Sequence, residues 1–137
     1  MKELLLAIDS AKIRSAPGVD QIDYNIIKNL TPDSLSVLLQ IYNNLFCQGI
    51  FSVEWNKSMV VLIPKPNGKG VRPISLLSCL LKIMEKIIYL RLRWFTESNA
   101  ILPLNQTGFR PQCACSDNLV ALTNYIQGAF INNALTI

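Results

Sequence analysis

Residues 59–74 read Met-Val-Val-Leu-Ile-Pro-Lys-Pro-Asn-Gly-Lys-Gly-Val-Arg-Pro-Ile. Five apolar residues, three of them β-branched, predict a mostly buried strand over 59–63. The dipeptide Asn67-Gly68 tolerates positive φ at both positions and is a strong hairpin signal. Residues 71–74 return as a second strand, and Pro73, which lacks an N–H, places that strand at an edge or ends it. The stretch therefore predicts an antiparallel β-hairpin.

The tip of this hairpin is basic. Lys65, Lys69 and Arg72 lie at or near it, and no acidic residue occurs between Glu54 and Glu85. A cationic tip without acidic neighbours suits binding of a polyphosphate or a nucleic-acid backbone. The alternative is a solvated surface turn that carries ordinary lysines.

The whole middle of the chain shares this positive charge. The formal net charge is +4, but eight of the thirteen basic residues lie between Lys57 and Arg93. Against them stands one acid, Glu85, so eight bases and one acid give this window a net charge of +7. Such a concentration attracts polyanions without specifying their sequence.

Length and composition limit the class of protein. The 137 residues form one domain or part of one, and a hydrophobic fraction of 50% excludes a disordered tail. The longest apolar run, over 74–92, contains four charged residues and cannot span a membrane. The apolar run at the start is too short for a secretory signal. We expect an intracellular protein without a membrane segment.

Cysteine usage leaves two interpretations open. The chain has four cysteines and no histidine. Cys113 and Cys115, with Cys47 and Cys79 far away, could form a zinc site, although the spacing differs from the common zinc ribbons and fingers. The alternative is a set of reduced structural thiols.

Apolar periodicity predicts helices on both sides of the hairpin. Before it, we expect a helix over 3–14, a second helix capped by Asp20, and a third that begins at Thr31-Pro32 and stops at Gly49. After it, the longest helix is predicted from about Leu76 to Phe95. The fold class is therefore α+β, mostly helical, around one small antiparallel hairpin.

The end of the chain predicts one more helix and the opening of a strand. Ser116 is expected to cap a helix that runs to about residue 132. Residues 134–137 resemble the beginning of a strand. The residues expected to face inward on the helix are Leu119, Leu122, Ile126 and Phe130.

Neither a two-metal carboxylate site nor an activated nucleophile can be assembled from the sequence. The nine acids are never adjacent, so they offer no evident pair of carboxylates for two-metal phosphoryl transfer. Without histidine, the usual activation of a serine or cysteine nucleophile is not available. Gly68-x-Gly70 is too short to cradle a phosphate. The sequence contains residues suited to substrate binding but no recognisable catalytic group.

Four blocks, in this order, resemble the reverse transcriptase of non-LTR (LINE-like) retrotransposons over essentially all 137 residues. The first, residues 15–20, is similar to the family's Ala-Pro-Gly-x-Asp-Gly-Ile block, with Gln21 in place of the second glycine. The second is Val-Leu-Ile-Pro-Lys-Pro at 61–66 followed by Arg-Pro-Ile-Ser-Leu at 72–76. The third is Gln-Thr-Gly-Phe-Arg at 106–110, and the fourth is Ser-Asp-Asn-Leu at 116–119.

This resemblance implies a fold, roles for residues and partners. The chain would be the fingers subdomain, with the start of the palm, of a right-hand polymerase, truncated before the palm's catalytic strands. Lys65 and Arg72 would bind the triphosphate of the incoming deoxynucleotide. Partners would be an RNA template and a DNA primer, and Mg²⁺ would serve the complete enzyme, with no cofactor held by this chain. The residues expected to contact the template are Gln106, Gly108, Phe109 and Arg110.

Alternatives accompany these roles. Phe109 could instead be a core aromatic residue and Arg110 a member of a surface ion pair. Gln112 and Cys113 stand where the family often has a second basic residue, which predicts a weaker template grip. Because the family's Tyr/Phe-x-Asp-Asp block is absent, we expect this chain alone to be inactive. It would then be a truncated copy, a fragmentary gene model or a remnant of the polymerase. Two other hypotheses are a non-catalytic nucleic-acid-binding module and an inert retroelement remnant that folds poorly.

Overall fold

The computed structural model describes residues 1–103 and 105–131, which fall into two compact units that meet in sequence between Leu92 and Arg93. The first unit contains α1 (Lys2–Asp9), α2 (Tyr24–Lys28), α3 (Pro32–Gln48), a short 3-10 helix (Val53–Asn56), β1 (Met59–Pro64) and β2 (Val71–Leu76). Helix α4 (Cys79–Ser98) begins in the first unit and ends in the second, which also contains α5 (Cys115–Ile131). The α+β class is confirmed.

The core of the first unit lies among its four helices. Leu4 of α1, Ile27 of α2, and Cys79 and Ile83 of α4 are almost completely buried. On α3, Tyr42 is buried, donates a hydrogen bond to the Leu80 carbonyl oxygen (2.7 Å) and packs edge-on against Trp55, with ring centroids 6.1 Å apart. The other members of this core are Ala7, Ile8, Tyr24, Leu38 and Met84.

Local signals placed α3 correctly. The Thr31 hydroxyl accepts a hydrogen bond from the Ser34 N–H, Pro32 is the first helical residue, and Gly49 closes the helix in the left-handed conformation at φ 64°. Each of these features acts within a few residues of the helix end.

Two predicted helix starts were wrong. Asp23, not Asp20, caps α2, with its carboxylate accepting from the Ile26 N–H at 2.8 Å. Helix α4 begins at Cys79 rather than Leu76, because Leu76 belongs to β2 and the Ser78 hydroxyl accepts a hydrogen bond from the Leu80 N–H.

Helix α1 ends five residues earlier than predicted, at Asp9. The Ser10 hydroxyl donates to the Ala7 carbonyl oxygen, and the Ala11 N–H bonds to the Ile8 carbonyl oxygen, three residues back. This tighter bonding ends the α-helical ladder.

The hairpin is confirmed, but its predicted burial is wrong. β1 and β2 pair antiparallel, with Met59 opposite Leu76 and Pro64 opposite Val71. All six residues of β1 are exposed, because the sheet of the described residues has two strands only. Positive φ occurs at Gly68 and Gly70 rather than at Asn67.

Helix α5 lies close to its predicted bounds, with a different cap. Ser116 lies inside the helix, and the Asp117 carboxylate accepts a hydrogen bond from the Ala114 N–H at 2.7 Å. The four residues predicted to face inward are all exposed, from 37% at Ile126 to 73% at Phe130. The strand predicted over 134–137 lies outside the described residues.

Candidate functional site

The hairpin tip is a four-residue loop inside a closing pair. The Lys65 N–H bonds to the Gly70 carbonyl oxygen at 3.1 Å, which extends the β1–β2 register by one pair. Within the loop, the Gly68 N–H bonds to the Lys65 carbonyl oxygen, and the Asn67 side chain accepts from the Lys69 N–H. The tip is thus ordered by its own backbone and by one side-chain bond.

The strand register predicts that Lys65, the first residue after β1, lies on the same face of the hairpin as Arg72. Arg72 pairs with Ile63, two residues before Lys65, and side chains two positions apart on a strand share a face. Lys65 and Arg72 are therefore diagonal neighbours, a relationship that places Cα atoms about 7–8 Å apart. The Lys65 ammonium lies over Gly70, 4.0 Å from the position a Cβ would occupy.

The charges of the tip are uncompensated in the part of the chain that the structure describes. Within it, the charged groups of Lys65, Lys69 and Arg72 make no hydrogen bond or ion pair, and all three residues are exposed. Other cations of the basic window are engaged. Lys57 pairs with Glu54 at 2.9 Å, and Arg91 binds Glu3 through two nitrogens, with 2.9 Å between Nε and Oε1.

The predicted template segment forms a loop in the second unit. Phe109 is fully exposed (103%) and has a positive φ of 62°, so the core alternative for this ring does not match the structure. Gln106 closes a turn through its N–H onto the Pro103 carbonyl oxygen, and nothing lies within 4 Å of the position of a Cβ on Gly108.

Arg110 is engaged with its own loop and with the end of α4. Its Nε and Nη2 donate to the two carboxylate oxygens of Glu97 at 3.0 and 2.6 Å, and its Nη1 donates to the carbonyl oxygens of Pro103 and Gln106. Hydrogen bonds from Arg110 hold the pKa of Glu97 below its ordinary value, and those same bonds raise the pKa of Arg110. The ion-pair alternative for Arg110 matches this geometry.

Sequence reasoning missed Glu97 and the pair of Asp20 with Ser78. The sequence predicts no role for Glu97, the last residue but one of α4. The sequence predicts Asp20 as a helix cap, but its carboxylate accepts a 2.6 Å hydrogen bond from the Ser78 hydroxyl. No local pattern signals either contact, since the partners lie 13 and 58 positions apart.

Acidic and cysteine side chains do not form a metal-binding cluster among residues 1–103 and 105–131. In these ranges, no group of three or more Cys, Asp or Glu side chains is arranged to hold a metal ion. The four cysteines are free, and only Cys79 is buried, where desolvation raises the pKa of its thiol. No described helix is both long and apolar enough to cross a bilayer.

Comparison with known proteins assigns the family. A family model described as reverse transcriptase (RNA-dependent DNA polymerase) matches residues 63–134, slightly more than half of the chain. The chain belongs to the reverse transcriptase family. The matched range includes Lys65 and Arg72 of the hairpin and the whole loop at 106–110.

Curated relatives of this reverse transcriptase chain are polymerases of mobile elements. It is 32% identical over 95% of its length to the probable RNA-directed DNA polymerase from transposon BS of Drosophila melanogaster. It is 30% identical, over its full length, to the RNA-directed DNA polymerase from mobile element jockey of the same species. The probable RNA-directed DNA polymerase from transposon X-element, also of Drosophila melanogaster, is 32% identical over 69% of this chain. The similarity to non-LTR retrotransposon reverse transcriptases is therefore confirmed.

The reverse transcriptase chain spans only part of these relatives. It covers 15% of the transposon BS polymerase and 16% of the jockey polymerase. It therefore corresponds to one segment of a retrotransposon RNA-directed DNA polymerase.

Proposed function

We propose that this chain forms the fingers part of a retrotransposon RNA-directed DNA polymerase. In this proposal Lys65 and Arg72 bind the triphosphate of the incoming deoxynucleotide, while Gln106, Gly108, Phe109 and Arg110 lie along the RNA template. The primer end, the catalytic carboxylates and their Mg²⁺ belong to the remaining length of the polymerase. The observation that carries the proposal is the pair of unpartnered cations on one face of an ordered hairpin tip.

The chemistry of the tip suits a triphosphate. An ammonium and a guanidinium on diagonal positions offer donors to two phosphate groups at once, and charged hydrogen bonds are stronger than neutral ones. Because neither cation has an acidic partner among the described residues, binding of an anion breaks no existing ion pair. Positive charge placed at the departing pyrophosphate would also stabilise the transition state of nucleotide transfer.

Equilibrium binding of a fluorescent deoxynucleoside triphosphate to the 137-residue chain tests this role. The double variant Lys65→Ala/Arg72→Ala is expected to weaken binding about tenfold or more. The matched control is Lys12→Ala/Arg14→Ala, which removes the same charge from another exposed segment and is expected to change affinity less than about twofold. Equal losses in both variants would show that only net charge matters.

The exposed cations also support a second function, a non-catalytic nucleic-acid-binding module. This module would bind RNA or DNA in a strongly salt-dependent manner but would not bind a free deoxynucleotide triphosphate. Wild-type binding of RNA without measurable binding of the triphosphate would favour it. For either function we expect no primer extension by this chain alone, and metal-dependent extension by the pure chain would contradict both.

A further inference from the structure

Among the described residues, the Arg110 side chain anchors the loop formed by Pro103 and residues 105–110. Arg110 connects three parts of the second unit: the end of α4 through Glu97, the beginning of the loop through the Pro103 carbonyl oxygen (3.2 Å), and its middle through the Gln106 carbonyl oxygen (3.4 Å). The Glu97 and Arg110 side chains retain only 27% and 19% of their accessible surface. This partly buried fork, the Arg110 guanidinium with the Glu97 carboxylate, fixes the two ends of the loop relative to α4.

These contacts occupy most of the hydrogen-bond donors of the Arg110 guanidinium. Arginine has five N–H groups in a planar fork, and the four hydrogen bonds of Arg110 occupy all but one of them. The carboxylate of Glu97 also neutralises its positive charge. Arg110 therefore has little capacity left to bind a template phosphate while this fork is intact.

Phe109, the residue before Arg110, is exposed rather than engaged in contacts with the loop. Phe109 exposes its whole ring and has a left-handed backbone (φ 62°), which is uncommon for a bulky residue. Such a conformation persists when the surrounding structure imposes it. The anchored Arg110, next in sequence, supplies that constraint.

We propose that Glu97 is a positioning residue for template binding. By holding Arg110, it fixes the loop so that Phe109 presents its ring as a stacking face for an unpaired base of single-stranded RNA. Stacking of a base on an aromatic side chain tolerates any base, as copying of arbitrary templates requires. The inference rests on the proposed contact of this loop with the template, and it assigns the loop's shape to a residue outside the Gln-x-Gly-Phe-Arg block.

Binding of a short labelled single-stranded RNA at several salt concentrations tests the proposal. Glu97→Gln removes a negative charge, so electrostatics alone predicts tighter RNA binding. A positioning role predicts weaker binding, by about three- to tenfold, with an unchanged salt slope because no phosphate contact is lost. The matched control is Glu85→Gln, an exposed acid of α4 outside the loop, which is expected to leave affinity unchanged or slightly increased.

Arg110→Lys separates the two possible roles of the arginine. Lysine keeps the charge and binds phosphate well, but it cannot form the two-pronged bond to Glu97. We expect it to weaken RNA binding as much as Glu97→Gln does. Retained affinity in Arg110→Lys, or tighter binding with a steeper salt slope in Glu97→Gln, would show that Arg110 grips phosphate and would overturn the proposal. So would RNA affinity that neither substitution changes.

A spectroscopic readout follows the ring itself. Phe109→Trp is expected to bind RNA at least as well as wild type and to add a fluorescence signal that RNA quenches. The wild-type chain, with Trp55 and Trp94, supplies the background. Adding Glu97→Gln should reduce this extra quenching at saturating RNA, whereas undiminished quenching contradicts the positioning role. Triphosphate binding to the hairpin is measured separately, so failure here leaves the role of Lys65 and Arg72 intact.

Discussion

Asp20 and Ser78 are joined by a 2.6 Å hydrogen bond across 58 positions of sequence. The Ser78 hydroxyl donates to the Asp20 carboxylate and accepts from the Leu80 N–H, so it also caps α4. Nearby, the Lys82 ammonium reaches the Ala16 carbonyl oxygen at 3.5 Å. The segment before α2 therefore binds and stabilises the connection between β2 and the beginning of α4.

Ser78→Ala is expected to destabilise the first unit by about 1–3 kcal/mol. The substitution removes a helix cap and leaves the Asp20 carboxylate without its hydroxyl donor. Urea unfolding followed by circular dichroism measures the change. Ser58→Ala, at an exposed position before β1, is the control and should change stability by less than about 0.5 kcal/mol. Equal effects in both variants would show that the bond contributes nothing.

Gly18→Ala is expected to cost about 1–3 kcal/mol, because a Cβ there would stand 2.6 Å from the Ser78 nitrogen and 2.7 Å from the Leu77 carbonyl carbon. These are backbone atoms, which cannot rotate away. Gly128→Ala in α5 meets nothing within 4 Å, and alanine favours helix over glycine by about 1 kcal/mol. The two glycine substitutions should therefore shift the thermal midpoints in opposite directions. A neutral Gly18→Ala would show that the loop moves aside.

Tyr42→Phe tests the polar contact inside the core. Loss of the bond to the Leu80 carbonyl oxygen should cost about 1 kcal/mol, while Tyr125→Phe, 66% exposed, should be neutral. Burial raises the pKa of Tyr42 far above its usual value of 10.0. Its contribution to stability is therefore complete below pH 10 and is lost as the pH rises further. In Tyr42→Phe, the alkaline loss of stability should be smaller.

The anchored loop should loosen in acid. The pKa of Glu97 lies below 4.5 because Arg110 hydrogen bonds to the ionised carboxylate, so its contribution is complete above pH 4.5 and is lost as the pH falls through the lowered value. NMR titration of the Glu97 side chain measures this pKa directly. In Arg110→Ala the pKa should rise toward 4.5. A wild-type Glu97 that titrates at or above 4.5 would contradict the ion pair.

The solvent-exposed hairpin should promote self-association of the chain. Val60 and Leu62 share one face of β1 and are 56% and 60% exposed, and among the described residues no third strand pairs with the outer edge of β1 or β2. Exposed apolar strands with unpaired edges favour pairing between chains. Val60→Thr/Leu62→Thr should reduce the fraction of oligomers in size-exclusion chromatography without reducing helix content. Val37→Thr/Ile41→Thr on α3 is the control, with exposed apolar residues (55% and 45%) that lack a strand edge.

Local sequence signals were sufficient to predict α3 and the hairpin. Thr31, Pro32 and Gly49 predicted both ends of α3, and the residues around Asn67-Gly68 predicted the hairpin, because capping and turn formation act between atoms a few residues apart. The order of the four blocks also predicted the family that the comparisons confirm.

The pairing of distant polar residues and the burial of apolar residues depend on the three-dimensional packing. Asp20 pairs with Ser78 rather than capping α2, and Arg110 pairs with Glu97, because folding brings together helix ends and loops that lie far apart in sequence. The apolar residues of β1 predicted a buried strand, yet the structure leaves it exposed. Apolar composition fixes a tendency toward burial, whereas burial itself depends on whether another surface packs against the strand.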